Sequence, residues 1–375
     1  MITVREVKTR KEVKQFINFP LEMYKDNKNF VPPLYMSERE CFKRHNPFSS
    51  ACDTVYYLAF DGDKLVGRIS GIIQKDANEK WNQKRVRFTR FDSINDQKVA
   101  DALFNAVEKW AKEKGMTEIC GPLGFNDLER EGLLINGFDK LATFEEQYNA
   151  DYYPTLVEKH GFKGETDWIE RELRMPKDTS DLDKIARISD LMMKKYKLSY
   201  IIEKSVPAFV RHHKDEFFEL LDDTYSDLYG TCKIRKEVQK ELLIGFKLLL
   251  RSDNVVGIKN EKGEMICFGL YFPSIAKAVQ PSGGRLTPAG ILRVLKAIKN
   301  PDVLDLGLIG VRKDYRNYGV PAMLLTKMME LLQSGKYDHF ETNLTLVTNY
   351  EINNLLKRFD GVIHKARRSY CKKIK

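Results

Sequence analysis

The stretch VLDLGLIGVRKDYRNYGVPAMLLTKMM, residues 303–329, decides the fold. Its first part is short and apolar and is bounded by Pro301 and by charge, which predicts a strand buried on both faces. From Val320 to Leu332 apolar residues recur at helical spacing, so a helix follows the strand. The turn between them contains Arg316 and Gly319 and lies just ahead of the helix N-terminus. Such a terminus can bind a phosphate through its unpaired N–H groups, although a purely structural turn is the alternative.

This turn resembles the acyl-CoA pyrophosphate loop of the GNAT N-acyltransferase superfamily, which has the pattern V-x-P-x-Y-R-x-x-G-I-G. The matching positions are Val311, Asp314-Tyr315-Arg316, Gly319 and Val320. The resemblance implies acetyl-CoA or another acyl-CoA as co-substrate, and no metal. The residues that it implies for cofactor binding are Ile309, Val311, Arg316, Asn317, Tyr318, Gly319, Val320 and Asn349.

Three positions depart from that loop. Lys313 replaces the usual Pro, Asn317 a common Gly, and Pro321 the second Gly of the core. Pro321 has no N–H, so one expected phosphate donor is missing. Proline is well accepted in a first helical turn, however, and we therefore expect an altered but working CoA site.

Length and composition bound the class of protein. A chain of 375 residues with 42% hydrophobic content predicts two domains with packed cores. No apolar run approaches the ~18 residues of a spanning helix, and Met1–Arg5 begins a strand rather than a signal peptide, which predicts a cytoplasmic protein. The six cysteines form no C-x-x-C pair and the six histidines give no metal-ligand spacing.

The net charge of +10 favours anionic partners such as CoA phosphates or a membrane surface. The charge is spread along the chain, and only residues 364–375 concentrate basic side chains. We interpret that segment as a solvated terminal strand, so no specific nucleic acid is expected.

The two halves of the chain repeat one order of elements. A hairpin at 55–73 precedes a strand and a helix at 86–114, and a second hairpin at 255–272 stands in the same relation to residues 303–329. The order in the first half also resembles the GNAT fold. The expected fold class is α/β (α+β): two GNAT-like lobes, residues 1–175 and 176–375, each a mixed, mostly antiparallel sheet flanked by helices. The final strand, 362–374, is expected to close the second sheet.

The first lobe is expected to lack the CoA loop. Its equivalent turn has no Arg-x-x-Gly, and it places acidic Asp92 and Asp96 where phosphates would lie. Taken over nearly the whole chain, the sequence resembles a bacterial family of tandem-GNAT acyltransferases in which only the second lobe keeps the CoA motif.

That resemblance implies N-acyltransfer, most simply acetylation, to a small-molecule amine in a ternary complex. Asp305 lies six residues before Val311, where some superfamily members place a catalytic Glu. Burial in an apolar strand would raise its pKa toward that of a useful base. The alternatives are that Asp305 faces solvent at a frayed strand start, or that the proton leaves through water. Leu356 replaces the tyrosine that such enzymes often use as general acid.

Three other possibilities stay open at this stage. The altered loop is compatible with a non-catalytic acyl-CoA sensor on the same fold. The helix at 289–299, with aliphatic residues opposite cations, is either a cover for the sheet or a contact for a lipid amine, a long acyl chain or an anionic membrane. The long loop at 121–139 either selects the amine over the second lobe's cleft or is purely structural.

Overall fold

The structure is a computed structural model, and it describes residues 1–374. The strands are β1 (Ile2–Glu6), β2 (Cys52–Asp61), β3 (Lys64–Gln74), β4 (Arg85–Ser93), β5 (Glu118–Gly121), β6 (Leu133–Asn136), β7 (Lys163–Arg174), β8 (Ser199–Tyr200), β9 (Val255–Lys259), β10 (Met265–Pro273), β11 (Val303–Val311), β12 (His339–Thr342), β13 (Thr345–Leu346) and β14 (Asp360–Lys373). The helices are α1 (Arg10–Met23), α2 (Tyr35–Glu40), α3 (Lys75–Lys80), α4 (Gln97–Glu113), α5 (Tyr153–Lys159), α6 (Ser180–Lys195), α7 (Val206–Tyr225), α8 (Lys236–Leu249), α9 (Ala276–Val279), α10 (Pro288–Lys299), α11 (Val320–Gln333) and α12 (Tyr350–Leu356).

The strands form one continuous mixed sheet. Its order is β1-β2-β3-β4-β5-β14-β7-β12-β11-β10-β9-β8, with β6 and β13 as short side branches. The run β2 to β5 on one side therefore mirrors the run β9 to β12 on the other. Within residues 1–374, only β4–β5 and β11–β12 are parallel pairs, and they occupy equivalent places. The predicted α/β class and the repeated hairpin–strand–helix order are confirmed.

The last strand is the exception to the predicted arrangement. We expected it to close the second sheet, but β14 pairs antiparallel with β5 through Tyr370 opposite Gly121. Its other edge pairs with β7, and β7 in turn pairs with β12 through Leu173 opposite Phe340. Each half thus donates its final strand to the edge of the other half's parallel pair. The sequence pattern of β14 predicts an extended strand but does not specify its neighbour.

Separate cores lie on the sheet in the two halves. In the first half, α4 buries Val99, Leu103 and Val107 on the sheet, and Asp96 caps it by accepting the Lys98 N–H. In the second half, α11 is buried between the sheet and α6, with Met323, Leu324 and other apolar residues fully enclosed. The turn at residues 312–319 connects β11 to α11. Because both elements are packed in this core, their packing fixes the turn.

Within residues 1–374, no helix is both long enough and apolar enough to cross a bilayer.

Candidate active site

The site begins with a wedge between β11 and β12. The two strands pair in parallel only from Val303 opposite His339 to Leu306 opposite Thr342. The N–H of Asn343 donates to the Leu306 carbonyl at 3.2 Å, and beyond that bond the strands separate while β11 continues to Val311. A β-bulge opposite Leu270 and Tyr271 lies at the same level. The wedge exposes the main chain of residues 307–311 to a ligand.

The turn after β11 is a 3-10 helix, Lys313–Tyr318, which ends at Gly319. Gly319 is left-handed, with φ +77°, and caps α11. A Cβ at this position would also lie 2.8 Å from Cγ of Met192 on α6. Glycine is therefore required here both for its backbone conformation and for the approach of α6.

Arg316 lies at the rim of the wedge with its side chain partly exposed. Its guanidinium is 3.2 Å from Oε2 of Glu351, which is itself largely exposed, and its Nε donates to the Val311 carbonyl at 3.4 Å. These contacts are weak and solvent-accessible, so an incoming phosphate can replace Glu351 as the partner.

The predicted cofactor residues divide into two groups. Those that line the cavity above the wedge are Ile309, Val311, Arg316, Asn317 and Asn349. The other three lie behind it: Tyr318 packs against Tyr196, Gly319 caps α11, and Val320 is fully buried in the core. Asn349 caps α12, its side-chain oxygen accepting the Ile352 N–H at 3.3 Å.

Leu356 does not lie where its alignment with a general-acid tyrosine implied. It is fully buried in the core beside α11, whereas Ile352 and Leu355 of the same helix line the cavity. The Leu356 side chain points away from the cleft. It therefore adds no apolar group at the place where the general-acid tyrosine was expected.

The equivalent edge in the first half is occupied by tyrosines. The N–H of Ser93, at the end of β4, donates to the Tyr153 hydroxyl at 2.9 Å, and the Tyr152 hydroxyl donates to the Ser93 carbonyl at 2.8 Å. Asp92 is buried in an ion pair with Arg68 at 2.8 Å. In the first half, the protein's own tyrosines therefore bond to the main-chain N–H and carbonyl groups that a ligand would use.

A cavity of about 1210 Å³ connects the two halves. Its lining includes residues 306–311 of the wedge, residues 126–131 of the long loop, and one face of α8. Arg87 fixes that loop, because its two terminal nitrogens donate to the carbonyls of Gly124 and Gly230. The 121–139 loop therefore contributes to the wall of the second half's cleft. Apolar side chains form much of the remaining wall, among them Phe48, Phe144, Leu242, Phe246 and Phe272.

Tyr225, the last residue of α7, brings a hydroxyl group to the wedge. The Ile309 N–H donates to that hydroxyl at 3.3 Å, and Tyr225 lines the cavity. Burial raises the pKa of Tyr225 well above its usual range, so the phenol stays protonated at neutral pH. A protonated phenol beside a strand N–H can donate a hydrogen bond or a proton to a reacting group.

Asp305 lies behind the cavity wall rather than in it. It is 4% exposed, its Oδ1 has no hydrogen-bond partner among the described residues, and burial raises its pKa to about 8. The Ser274 side chain opposes that rise, the charge of Glu341 reinforces it, and Lys365 again opposes it. The alternative of a frayed, solvent-facing position is wrong.

Sequence reasoning missed Tyr225 and gave no role to individual acids of the loop. Tyr225 is 84 positions before Ile309 in the chain, and nothing in the helical pattern of α7 distinguishes a tyrosine that reaches a site from one that faces solvent.

Two groups of side chains have ligand atoms within 4.8 Å of one another: Glu203 with His212 and His213, and Glu172 with Glu341 and His364. The adjacent residues His212 and His213 both contact Glu203, at 2.8 and 3.2 Å. Both groups lie away from the cavity lining. They are adequately explained as hydrogen-bonded carboxylate–imidazole pairs.

The wedge, the glycine turn before α11 and the doubled strand order define a tandem GNAT fold. A solved tandem GNAT protein from the clavulanic acid biosynthesis pathway matches over 100% of this chain and 99% of its own, with a TM-score of 0.58 and 11% identity. No protein-family model matches the sequence.

Two curated proteins are similar to the chain over almost their whole length. Protein YghO of Escherichia coli is 26% identical over 99% of this chain and 95% of its own. A bacterial ceramide synthase of Caulobacter vibrioides is 24% identical over 99% of this chain and 97% of its own.

Proposed function

We propose that the protein is an acyl-CoA-dependent N-acyltransferase that transfers the acyl group directly to an amine in a ternary complex. The observation that supports this most strongly is the wedge between β11 and β12, which opens beside Arg316 and Gly319 into the cavity. The relationship to a tandem GNAT structure and to a ceramide synthase points the same way.

In this proposal residues 176–375 form the lobe that binds acyl-CoA and residues 1–175 form the lobe without a cofactor. The pyrophosphate binds at residues 316–320, and the pantetheine arm follows the main chain from Ile309 to Val311 and passes Asn349. The thioester carbonyl replaces the Tyr225 hydroxyl as the acceptor of the Ile309 N–H, and the hydroxyl remains beside that carbonyl. Asp305 remains a base proposed from the sequence, and because it lies behind the cavity wall it would receive a proton through water.

A second candidate is transfer of a long acyl chain, or transfer to a lipid amine, by a cytoplasmic protein at an anionic membrane. It is favoured by α10, where Ile291, Leu292 and Leu295 are 43, 69 and 49% exposed and do not cover the sheet. Ile244 and Leu248 of α8 are similarly exposed, while the opposite face of α8 lines the cavity. An amphipathic surface next to a cavity whose wall is partly apolar is suited to a substrate that leaves a bilayer.

The experiment that tests both candidates measures acyl-CoA binding by titration calorimetry and CoA release with a panel of amines. Turnover with any amine supports acyltransfer, whereas binding without turnover across the panel supports the sensor. Each buried methylene adds up to ~0.8 kcal/mol. Much tighter binding of palmitoyl-CoA than of acetyl-CoA therefore supports the second candidate, and equal affinities together with no sedimentation on anionic liposomes at low salt contradict it.

A further inference from the structure

The cavity is acidic although the protein as a whole is basic. Eleven Asp and Glu residues line it, against four arginines and no lysine, in a chain of net charge +10. A surplus of carboxylates in an enclosed space attracts cations and repels the phosphates of CoA. The acids therefore require an explanation other than cofactor binding.

Most of the charged lining residues are already paired. Arg90 binds Glu38, Arg68 binds Asp92, and Arg316 binds Glu351.

The remaining arginine, Arg130, donates to the Phe144 carbonyl. Glu129 accepts the Phe125 N–H at 3.1 Å, and Asp227 pairs with Lys313 at 2.7 Å. These residues have structural partners and do not need a ligand.

Glu131 differs from these residues. It is 4% exposed, it lines the cavity, and its Oε1 has no hydrogen-bond partner among residues 1–374. A buried carboxyl oxygen without a partner is costly, so such a group marks a place where a ligand completes the hydrogen bonding. The nearby guanidinium of Arg87 is held by two backbone carbonyls.

Asp127 is on the same loop as Glu131 and lines the same cavity. After burial, the charge of Asp127 is the largest influence on Glu131, and Asp127 also acts on the hydroxyl of Tyr225. Burial raises the pKa of Asp127 to about 6 and that of Glu131 well above its usual range. Burial therefore disfavours two negative charges on this pair of carboxyl groups.

We infer that the first lobe supplies the acceptor site: Asp127 and Glu131, on the loop between β5 and β6, bind the ammonium group of the amine substrate. The inference rests on the proposed acyltransfer and names the residues that select its acceptor. The loop places these two acids on the cavity wall that they share with Tyr225 and with the main chain of residues 307–311.

The proton balance follows from this placement. The bound ammonium gives one proton to the Asp127 carboxylate, and the freed lone pair attacks the thioester carbon. The C–N bond forms and the C–S bond breaks, so that the electron pair leaves on sulfur. The Tyr225 hydroxyl gives its proton to the CoA thiolate and regains the second proton from nitrogen, and Asp127 releases its proton to solvent. The products are the amide, CoA and one proton.

The test compares a cation with its neutral analogue on the CoA-bound protein. Octylamine and 1-octanol are titrated into the wild-type protein, Asp127→Asn, Glu131→Gln and Glu241→Gln, each saturated with CoA. Glu241 is the matched control because it also lines the cavity but is exposed. Thermal melts establish that each variant is folded, and CoA affinity is measured separately for each.

We expect the wild type and Glu241→Gln to bind octylamine at least about 10-fold more tightly than octanol, as one charge-assisted hydrogen bond allows. Asp127→Asn and Glu131→Gln should lose that preference with unchanged CoA affinity. A wild type that shows no preference, or a preference retained in both variants, overturns the inference. Absence of CoA binding in the wild type would instead contradict the proposed function, so the two failures are distinguishable.

Discussion

The backbone N–H of Ile309 donates a hydrogen bond to the hydroxyl oxygen of Tyr225 across 3.3 Å. This bond joins the end of α7 to the open edge of β11, at the point where the account places the thioester carbonyl. The hydroxyl can therefore donate a hydrogen bond or a proton to the thioester oxygen or sulfur as negative charge develops there during transfer.

Tyr225→Phe should lower kcat by about 10²-fold, the scale of a lost general acid, because the phenol proton is removed and little packing is lost. The dissociation constant for acyl-CoA should stay within about twofold. Steady-state kinetics and calorimetry measure the two quantities. Tyr229→Phe is the control, since Tyr229 also lines the cavity but bonds to Glu165. Equal effects of the two substitutions would remove Tyr225 from the mechanism.

A second prediction concerns the seam between the halves, where β14 meets β7. Arg367 and Glu170 are both fully buried and form a 2.6 Å ion pair, and Lys365 lies 2.9 Å from the same carboxylate. Burial alone would raise the pKa of Glu170, but Arg367 and Lys365 outweigh it and lower the pKa.

Glu170→Gln should reduce the free energy of unfolding by about 3–5 kcal/mol, because two buried cations then lose their nearest counter-charge and keep only the longer contacts to Glu341 and Glu146. Since the folded-state pKa is lowered, the stabilisation is present above the ordinary carboxyl pKa and is lost as pH falls through the folded value. Urea unfolding from pH 7 downward measures both effects. Glu172→Gln, on the same strand but partly exposed, should cost no more than about 1 kcal/mol. Equal costs at the two sites would contradict the role of the seam.

For Asp305, the predicted effect of pH on stability is opposite to that for Glu170. Its folded-state pKa is raised to about 8 by burial, with Glu341 and Glu145 adding to the shift and Ser274 and Lys365 opposing it. Folding therefore favours the protonated acid, and the protein loses stability as pH rises from the ordinary Asp pKa toward 8.

Asp305→Asn should flatten that dependence and make the protein more stable than the wild type at pH 8 to 9. If Asp305 is also the base, wild-type kcat rises through about pH 8 and the variant loses that limb of the profile. Denaturation and rate measurements across pH separate the two roles. A wild-type stability that does not change across this range would show that Asp305 is not held in the neutral form.

The exposed aliphatic residues of α10 predict binding to anionic membranes. The double variant Leu292→Asp and Leu295→Asp should reduce sedimentation with phosphatidylglycerol vesicles at low salt by at least about 10-fold, because burying each leucine contributes about 1.5–3 kcal/mol. Leu191→Asp, at a comparably exposed position on α6, is the control. Sedimentation that is unaffected by the double variant, or absent in the wild type, would reject this surface.

Much of the fold could be predicted because local patterns specify it. The strand that opens the stretch 303–329 and the hairpin at 255–272 lie where the sequence predicts them, as β11, β9 and β10, since apolar runs between turn residues define them. The partner of β14 could not be predicted, because its alternation gives the buried face and not the neighbouring strand. The same limit applies to the site. The turn at 312–319 is contiguous in sequence, whereas Asp127, Tyr225 and Ile309 come to line one cavity only through folding.

The central claim is that acyl-CoA binds once per chain, at the turn before α11. Calorimetric titration of acyl-CoA into the wild type, Arg316→Ala and Arg312→Ala tests it directly. Arg312 is the matched control, because it lies on the same turn but pairs with Asp314 and Glu264 outside the cavity lining. We expect one site in the wild type. Arg316→Ala should lose about 10- to 100-fold in affinity because its charged hydrogen bonds are missing, and Arg312→Ala should bind with unchanged affinity. Wild-type affinity in Arg316→Ala, or two sites per chain, would contradict it.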